Sequence, residues 1–222
     1  IYIIIIDHNS KKEDLDQIKK QLNKSGFENS IISLNVDEFN KNIKKINAKN
    51  EKVTENQISN MANIHKSLLI AENQCNDLIY FVEDDYLHKQ DAINEMILTY
   101  ERISSQINKE LILCPADYPF LYTKIEPTNV FLGSNKHWRR IDETLCTFFT
   151  SKIMLKKHWD KFVSMCQFEH YPFEQPLHDI YKLEYCLSPI PSLAIHCTNI
   201  NSIFGLSPNV DWKKIWEENK NY

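Results

Sequence analysis

Two apolar periodicities alternate along the first half of the chain, and this alternation limits the folds open to it. The opening "IYIIII" is a continuous apolar run of strand length, the pattern of a strand covered on both faces in a parallel sheet. In "KKEDLDQIKKQLNKSG" Leu15, Ile18 and Leu22 share a helix face, and Gly26 is placed to end that helix. "SIISLNV", Ser30 to Val36, reads as a second strand. From Gln57 to Asn73, Ile58, Met61, Ala62, His65, Leu68, Leu69 and Glu72 fall on one helix face, mostly apolar, and the helix leads into the apolar run Leu78 to Val82. Ala92, Ile93, Met96, Ile97, Tyr100 and Ile103 mark a further amphipathic helix, followed by the short apolar "LILC". Strand and helix in this order predict an α/β fold with a mostly parallel central sheet flanked by helices.

The remainder is less regular. Residues 37–56 are rich in Lys, Asn and Glu with scattered apolar positions, and read as a mobile connection or a solvated helix. Downstream of residue 115, short β-like runs mix with prolines and aromatics. "SKIMLKKHWDKFVSMC" is expected to be a helix capped by Ser151, and "QPLHDIYKLEY" a helix with Pro176 in its first turn. "LAIHCT" reads as a late strand, and "DWKKIWEENK" as a short helix docking Trp212 and Trp216. No internal repeat is found. The chain opens inside a strand and without methionine, so it is expected to be one domain of a longer protein.

At 222 residues the chain fits one large domain or two small ones, and a net charge of -4 gives no general attraction to nucleic acid or anionic lipid. No apolar run approaches the roughly 20 residues that span a bilayer, so contact with a membrane would be peripheral. The six cysteines form no Cys-x-x-Cys pair and no zinc-finger spacing, and read as reduced thiols in or near the core of a cytoplasmic protein. Only Gly26, Gly133 and Gly205 occur, no two within one loop. A glycine-rich phosphate cradle is therefore excluded, and a metal and basic side chains would have to neutralise any bound phosphate.

The stretch "NDLIYFVEDDYLH" carries the chemistry: an apolar strand ends in Glu83, Asp84 and Asp85. Adjacent negative charges at a strand tip repel one another unless a cation or solvent offsets them. Strand alternation would point Glu83 and Asp85 to one side and Asp84 to the other, letting the outer two converge on Mg²⁺ or Mn²⁺ shared with phosphate oxygens. The same triplet is equally readable as a solvated acidic turn capping the next helix.

From Ile58 to Ile97 the segment "ISNMANIHKSLLIAENQCNDLIYFVEDDYLHKQDAINEMI" resembles the centre of a nucleotide-sugar-dependent glycosyltransferase of the GT-A fold, where a strand ends in the metal-binding Asp-x-Asp motif. The match is nearest to the bacterial inverting, family 2-like transferases and follows the order of elements over about the first 115 residues. Glu83 stands where the motif's first Asp would be. The resemblance implies a single GT-A domain with a nucleotide-sugar and metal-binding half, 1–115, and an acceptor and catalytic-base half, 116–222. It implies that Asp85 binds the metal, with Glu83 or Asp84 on the ribose or a metal-bound water. Asp7, His8 and Asn9 would lie near the base and ribose. Asn63 and His65 would face the nucleotide or pack, with packing favoured for His65. A late histidine often completes the metal shell in such enzymes, and His196 is the candidate, with a satisfied core histidine as the plain alternative.

An inverting transferase also needs a carboxylate base near a helix start. Glu174 is the leading candidate, with Asp179 and Asp117 in reserve. Arg139 or Arg140 of "KHWRR" is a candidate for the diphosphate or for an ordinary salt bridge, and Tyr118, Phe120, Tyr122, Trp138 and Tyr171 for sugar stacking or for core. The expected activity is metal-dependent transfer of a sugar from a nucleotide diphosphate donor, in the first place a uridine one, to a glycan or lipid-linked acceptor, as in bacterial surface polysaccharide synthesis. The expected location is the cytoplasm or the inner face of the cell membrane. The rival readings are a sugar nucleotidyltransferase, which normally opens with a glycine- and arginine-rich loop absent from "DHNSKKED", and a non-catalytic glycan- or protein-binding module.

Overall fold

The computed structural model describes residues 1–41, 43–198, 200–208 and 210–220. The fold is mixed α/β. Two compact units divide it, one of residues 1–74 with 160–175, the other of 75–159 with 176–222. These units do not follow the division by role at residue 115.

In the first unit β1 (Tyr2–Asp7) pairs in parallel with β2 (Glu28–Ser33), Ile5 opposite Ile31. Helix α1 (Lys12–Ser25) joins them and ends where Gly26 takes φ +73°, the left-handed conformation that costs an L side chain most. The expectation that "IYIIII" is covered on both faces does not hold: Ile3 to Ile6 are half-buried and Tyr2 is exposed. Helix α2 (Glu55–Gln74) begins at a capping box, with Gln57 N–H donating to Thr54 Oγ1 and Thr54 N–H to Gln57 Oε1. The polar segment before it is no solvated helix. Its scattered apolar residues Phe39, Ile43 and Val53 are buried with Leu34, Met61, Ala62 and Phe168 in this unit's core.

The second unit is built on a six-stranded sheet in the order β3-β8-β5-β9-β7-β6, formed by β3 (Leu78–Phe81), β5 (Leu111–Leu113), β6 (Val130–Leu132), β7 (His137–Arg140), β8 (Phe148–Ser151) and β9 (Tyr185–Ile190). A separate antiparallel pair joins β4 (Tyr86–His88) to β10 (Ala194–His196). The mostly parallel sheet expected from the sequence is corrected: within this six-stranded sheet, among the described residues, only β5 and β9 pair in parallel. The reason is β8. Its four residues are all buried, and it lies between β3 and β5, antiparallel to both, while the β6–β7 hairpin adds a further antiparallel edge.

Helix α3 (Ala92–Ile107) covers this sheet, burying Ala92, Met96, Tyr100 and Ile103 against Leu111, Leu113, Trp138, Phe149 and Leu187. Glu95, on the same helix, is buried yet fully used. Its carboxyl oxygens accept from Thr99 Oγ1 (3.0 Å), Asn135 N–H (2.9 Å) and Trp138 Nε1 (3.2 Å), which fixes the β6–β7 turn to the helix. Gly133 lies in that turn, where a Cβ would stand 2.4 Å from the Trp138 indole and 2.6 Å from Thr99 Oγ1.

Ser151 caps α4 (Lys152–Lys157), accepting from Met154 N–H, but the helix expected to run on to Cys166 breaks at His158 and resumes as α5 (Trp159–Met165). Helix α6 (Gln175–Leu183) carries Pro176 in its first turn as expected. In α7 (Trp212–Lys220) the expected anchors are reversed. Ile215 is the buried residue, with Val210 and Ile195, and Trp216 is 54% exposed. Cys114, Cys146, Cys166 and Cys186 are buried thiols, while Cys197 is exposed. No helix among the described residues is long and apolar enough to cross a membrane.

Candidate functional site

The acidic triplet does not stay in one strand. β3 ends at Phe81, Val82 is exposed, and residues 84 and 85 form a turn before β4. Strand alternation therefore fails here, and the outer two carboxylates take different partners. Glu83 is tied to Thr147, the residue before β8, by its N–H on Thr147 Oγ1 (3.0 Å) and by Thr147 Oγ1 on its Oε2 (3.3 Å). Asp84 is exposed.

Asp85 turns to the end of β10. The ladder between β4 and β10 places Tyr86 opposite His196, and Cys197 N–H donates to the Asp85 carbonyl (2.7 Å). This register sets Asp85 Oδ2 at 2.9 Å from His196 Nε2, with Thr198 Oγ1 donating to the same oxygen at 2.5 Å. A carboxylate oxygen accepts and a ring N–H donates, so the hydrogen between them belongs to Nε2. Both Asp85 Oδ1 and His196 Nδ1 are buried atoms with no hydrogen-bond partner, an arrangement normally offset by water or an ion. The unpartnered Oδ1 and Nδ1 lie on opposite sides of the shared hydrogen bond and cannot meet on one ion, whereas the facing Oδ2 and Nε2, 2.9 Å apart, have the spacing of about 3 Å of two adjacent ligands in a Mn²⁺ or Mg²⁺ octahedron and would fit one once the hydrogen between them is displaced. Glu83 does not join them, and no cluster of three His, Cys, Asp or Glu side chains suited to a metal occurs among the described residues.

The residues expected around the nucleotide stand together in the first unit. Asp7 ends β1, its carbonyl accepting from Leu34 N–H (2.7 Å). His8 is exposed but held on both ring nitrogens: Ser59 Oγ is 2.6 Å from Nδ1, and Asn9 Nδ2 is 3.1 Å from Nε2. Asn9 takes φ 61°, a left-handed conformation that Asn tolerates better than most residues. Asn63 Nδ2 donates to the Ile6 carbonyl (3.1 Å), tying α2 to β1. His65 packs on Phe39, ring centroids 5.1 Å apart, and burial lowers its pKa.

Arg139 is not free for phosphate. It forms a buried ion pair with Asp117, donates to the Leu121 carbonyl (3.4 Å), and lies 4.2 Å from the centre of the Tyr122 ring. Its charge is thereby compensated within the protein. Burial raises the Asp117 carboxyl pKa against the opposing pull of Tyr122 and Arg139, and both of its oxygens are already engaged, Oδ1 by Arg139 and Oδ2 by Tyr122. Trp138 and Tyr118 are fully buried and belong to the core.

Glu174 immediately precedes α6 and is 8% exposed. Burial pushes its carboxyl up to about 7, which suits proton transfer at neutral pH. Asp179 is a surface residue on α6, 2.7 Å from Lys182. Thr147, Thr198 and Ser59 were not anticipated. Of these only Ser59 had a local signal, lying four residues before Asn63 on one helix face.

Comparison of the sequence with models of known protein families and with curated proteins returns no match.

Proposed function

We propose that the protein is a metal-dependent glycosyltransferase of GT-A type that moves a sugar from a nucleoside diphosphate, in the first place uridine diphosphate, to a glycan or lipid-linked acceptor. The observation that carries the reading is the Asp85–His196 pair at the end of β10, whose Oδ2 and Nε2 face each other at 2.9 Å, the spacing of adjacent metal ligands. Asp85 and His196 are the residues that would hold the cation, which when bound offsets the charge of the leaving diphosphate. Thr198 keeps Asp85 in place. In the first unit His8, held by Ser59, and Asn9 offer hydrogen-bonding groups for the nucleoside. Glu174 is the proposed base: it accepts the proton of the acceptor hydroxyl as that oxygen attacks the anomeric carbon, and the pair of the breaking C–O bond leaves on the diphosphate.

Thermal unfolding with uridine diphosphate, with and without Mn²⁺, tests the reading. A ligand at about 100 times its Kd adds about 2.7 kcal/mol to the folded state. For a chain of this size that raises Tm by roughly 5–10 °C. The rise should require Mn²⁺, vanish in Asp85→Asn, and need more metal in His196→Ala. No Mn²⁺-dependent rise in the unaltered protein refutes the proposal. A rise with uridine triphosphate plus Mn²⁺ and none with the diphosphate points instead to the nucleotidyltransferase.

A further inference from the structure

Tyr122 closes the short 3-10 turn Pro119–Tyr122 in the second unit and is 50% exposed, yet its ring is not free to move. Its hydroxyl donates to Asp117 Oδ2, and one ring face lies on the Arg139 guanidinium. Arg139 and Asp117 are themselves paired, with side chains 10% and 1% exposed. Asp117 is anchored further, its N–H donating to Ser192 Oγ (2.8 Å) and its carbonyl accepting from Ser207 Oγ. A buried ion pair contributes little net stability over apolar packing, whereas it does fix geometry. Here it fixes an aromatic ring by its edge and by one face. Arg139 covers one face of the ring, and half of the residue remains exposed.

The same scaffold reaches the carboxylate–imidazole pair. Tyr118, one turn before Tyr122, has its hydroxyl 2.5 Å from that of Tyr86, and the Tyr86 ring is 5.2 Å from the His196 ring. Phe120 stacks on Tyr118 and packs on Phe204, and its N–H donates to the Ile203 carbonyl (2.9 Å), so the turn is held from both sides.

We infer that the exposed face of Tyr122 is a stacking platform for a hexopyranose ring of the acceptor, an inference that rests on the transferase reading above. A pyranose presents a face of axial C–H bonds, which are apolar and weakly positive, and an aromatic face is apolar and negative. A phenol that donates to a carboxylate gains electron density in its ring, which strengthens that match. A ring already fixed loses little conformational freedom when the sugar binds.

Saturation-transfer NMR on the full chain with millimolar methyl β-glucopyranoside, methyl β-galactopyranoside and their 2-acetamido analogues tests this. At least one glycoside should receive saturation, strongest at the protons of one ring face. The signal should fall several-fold in Tyr122→Leu, persist in Tyr122→Phe, and be unchanged in Trp216→Leu, which removes an exposed aromatic elsewhere. The platform is overturned if no glycoside receives saturation, if Tyr122→Leu leaves the signal intact, or if uridine protons rather than sugar protons lose it in that variant. The Mn²⁺–uridine diphosphate shift, measured on the same samples, separates the two claims. A shift without glycoside contact removes the platform and leaves the transferase, and absence of the shift in the unaltered protein removes the transferase itself.

Discussion

Glu95→Ala is expected to destabilise the protein by about 4 kcal/mol, since it leaves three buried or half-buried donors, Thr99 Oγ1, Asn135 N–H and Trp138 Nε1, without their acceptor at roughly 1–3 kcal/mol each. Urea unfolding with linear extrapolation measures it. Glu95→Gln keeps one acceptor oxygen and should lose about half as much. The same turn gives an independent check at Gly133. Adding a methyl group there drives a Cβ to 2.4 Å from the Trp138 indole, so Gly133→Ala should lose about 1–3 kcal/mol through overpacking. The two changes act on one cluster, and the double variant should lose less than the sum. A Glu95→Ala protein within about 1 kcal/mol of the unaltered one would show that water replaces the carboxylate.

The second large effect is a pH dependence carried by Glu174. Burial raises its carboxyl from an ordinary value of 4.5 to about 7 in the folded chain. Between those values the folded state holds more protons than the unfolded one, so stability falls as pH rises. The contribution is fully present below pH 4.5 and is lost as pH passes through 7. At about 1.4 kcal/mol for each pH unit of that interval, the loss amounts to roughly 3 kcal/mol. Glu174→Gln removes the ionisation, so this variant should match the unaltered protein near pH 4.5 and exceed its stability by up to roughly 3 kcal/mol at pH 8. If Glu174 is the base, the same variant loses turnover and keeps donor affinity. Parallel stability-against-pH curves for the two proteins would remove the buried carboxyl from the account.

What was legible in the sequence was local. The end of α1 at Gly26 and the cap at Ser151 follow from single residues, and α2 and α3 from long apolar stripes. The course of the sheet was not legible, because nothing within "FFTS" says that it enters between two strands far from it in sequence. Phe39, Ile43 and Val53 misled for a related reason: the first two stand four apart, as on a helix face, but Val53 lies ten residues further on, and the three are gathered by tertiary packing. In α7 three apolar residues share nine positions, and the pattern alone does not say whether Ile215 or the tryptophans turn inward. At the site, the turn after Phe81 broke the alternation that would have joined Glu83 to Asp85. The meeting of Asp85 with His196, by contrast, has no local pattern behind it in the sequence.

The interrupted course of the first unit bears on how it is made. Its core includes Phe168, which the ribosome delivers about a hundred residues after Gln74. At translation rates of 5–20 residues per second, Leu34, Phe39 and Val53 wait roughly 5–20 s for that partner. The second unit's β3, α3, β5 and β8 emerge during this interval, so a nascent chain halted near residue 159 would expose the first unit's unfinished apolar surface to chaperones, whereas one halted beyond residue 175 would have that unit complete and lack only elements of the second, β9 among them.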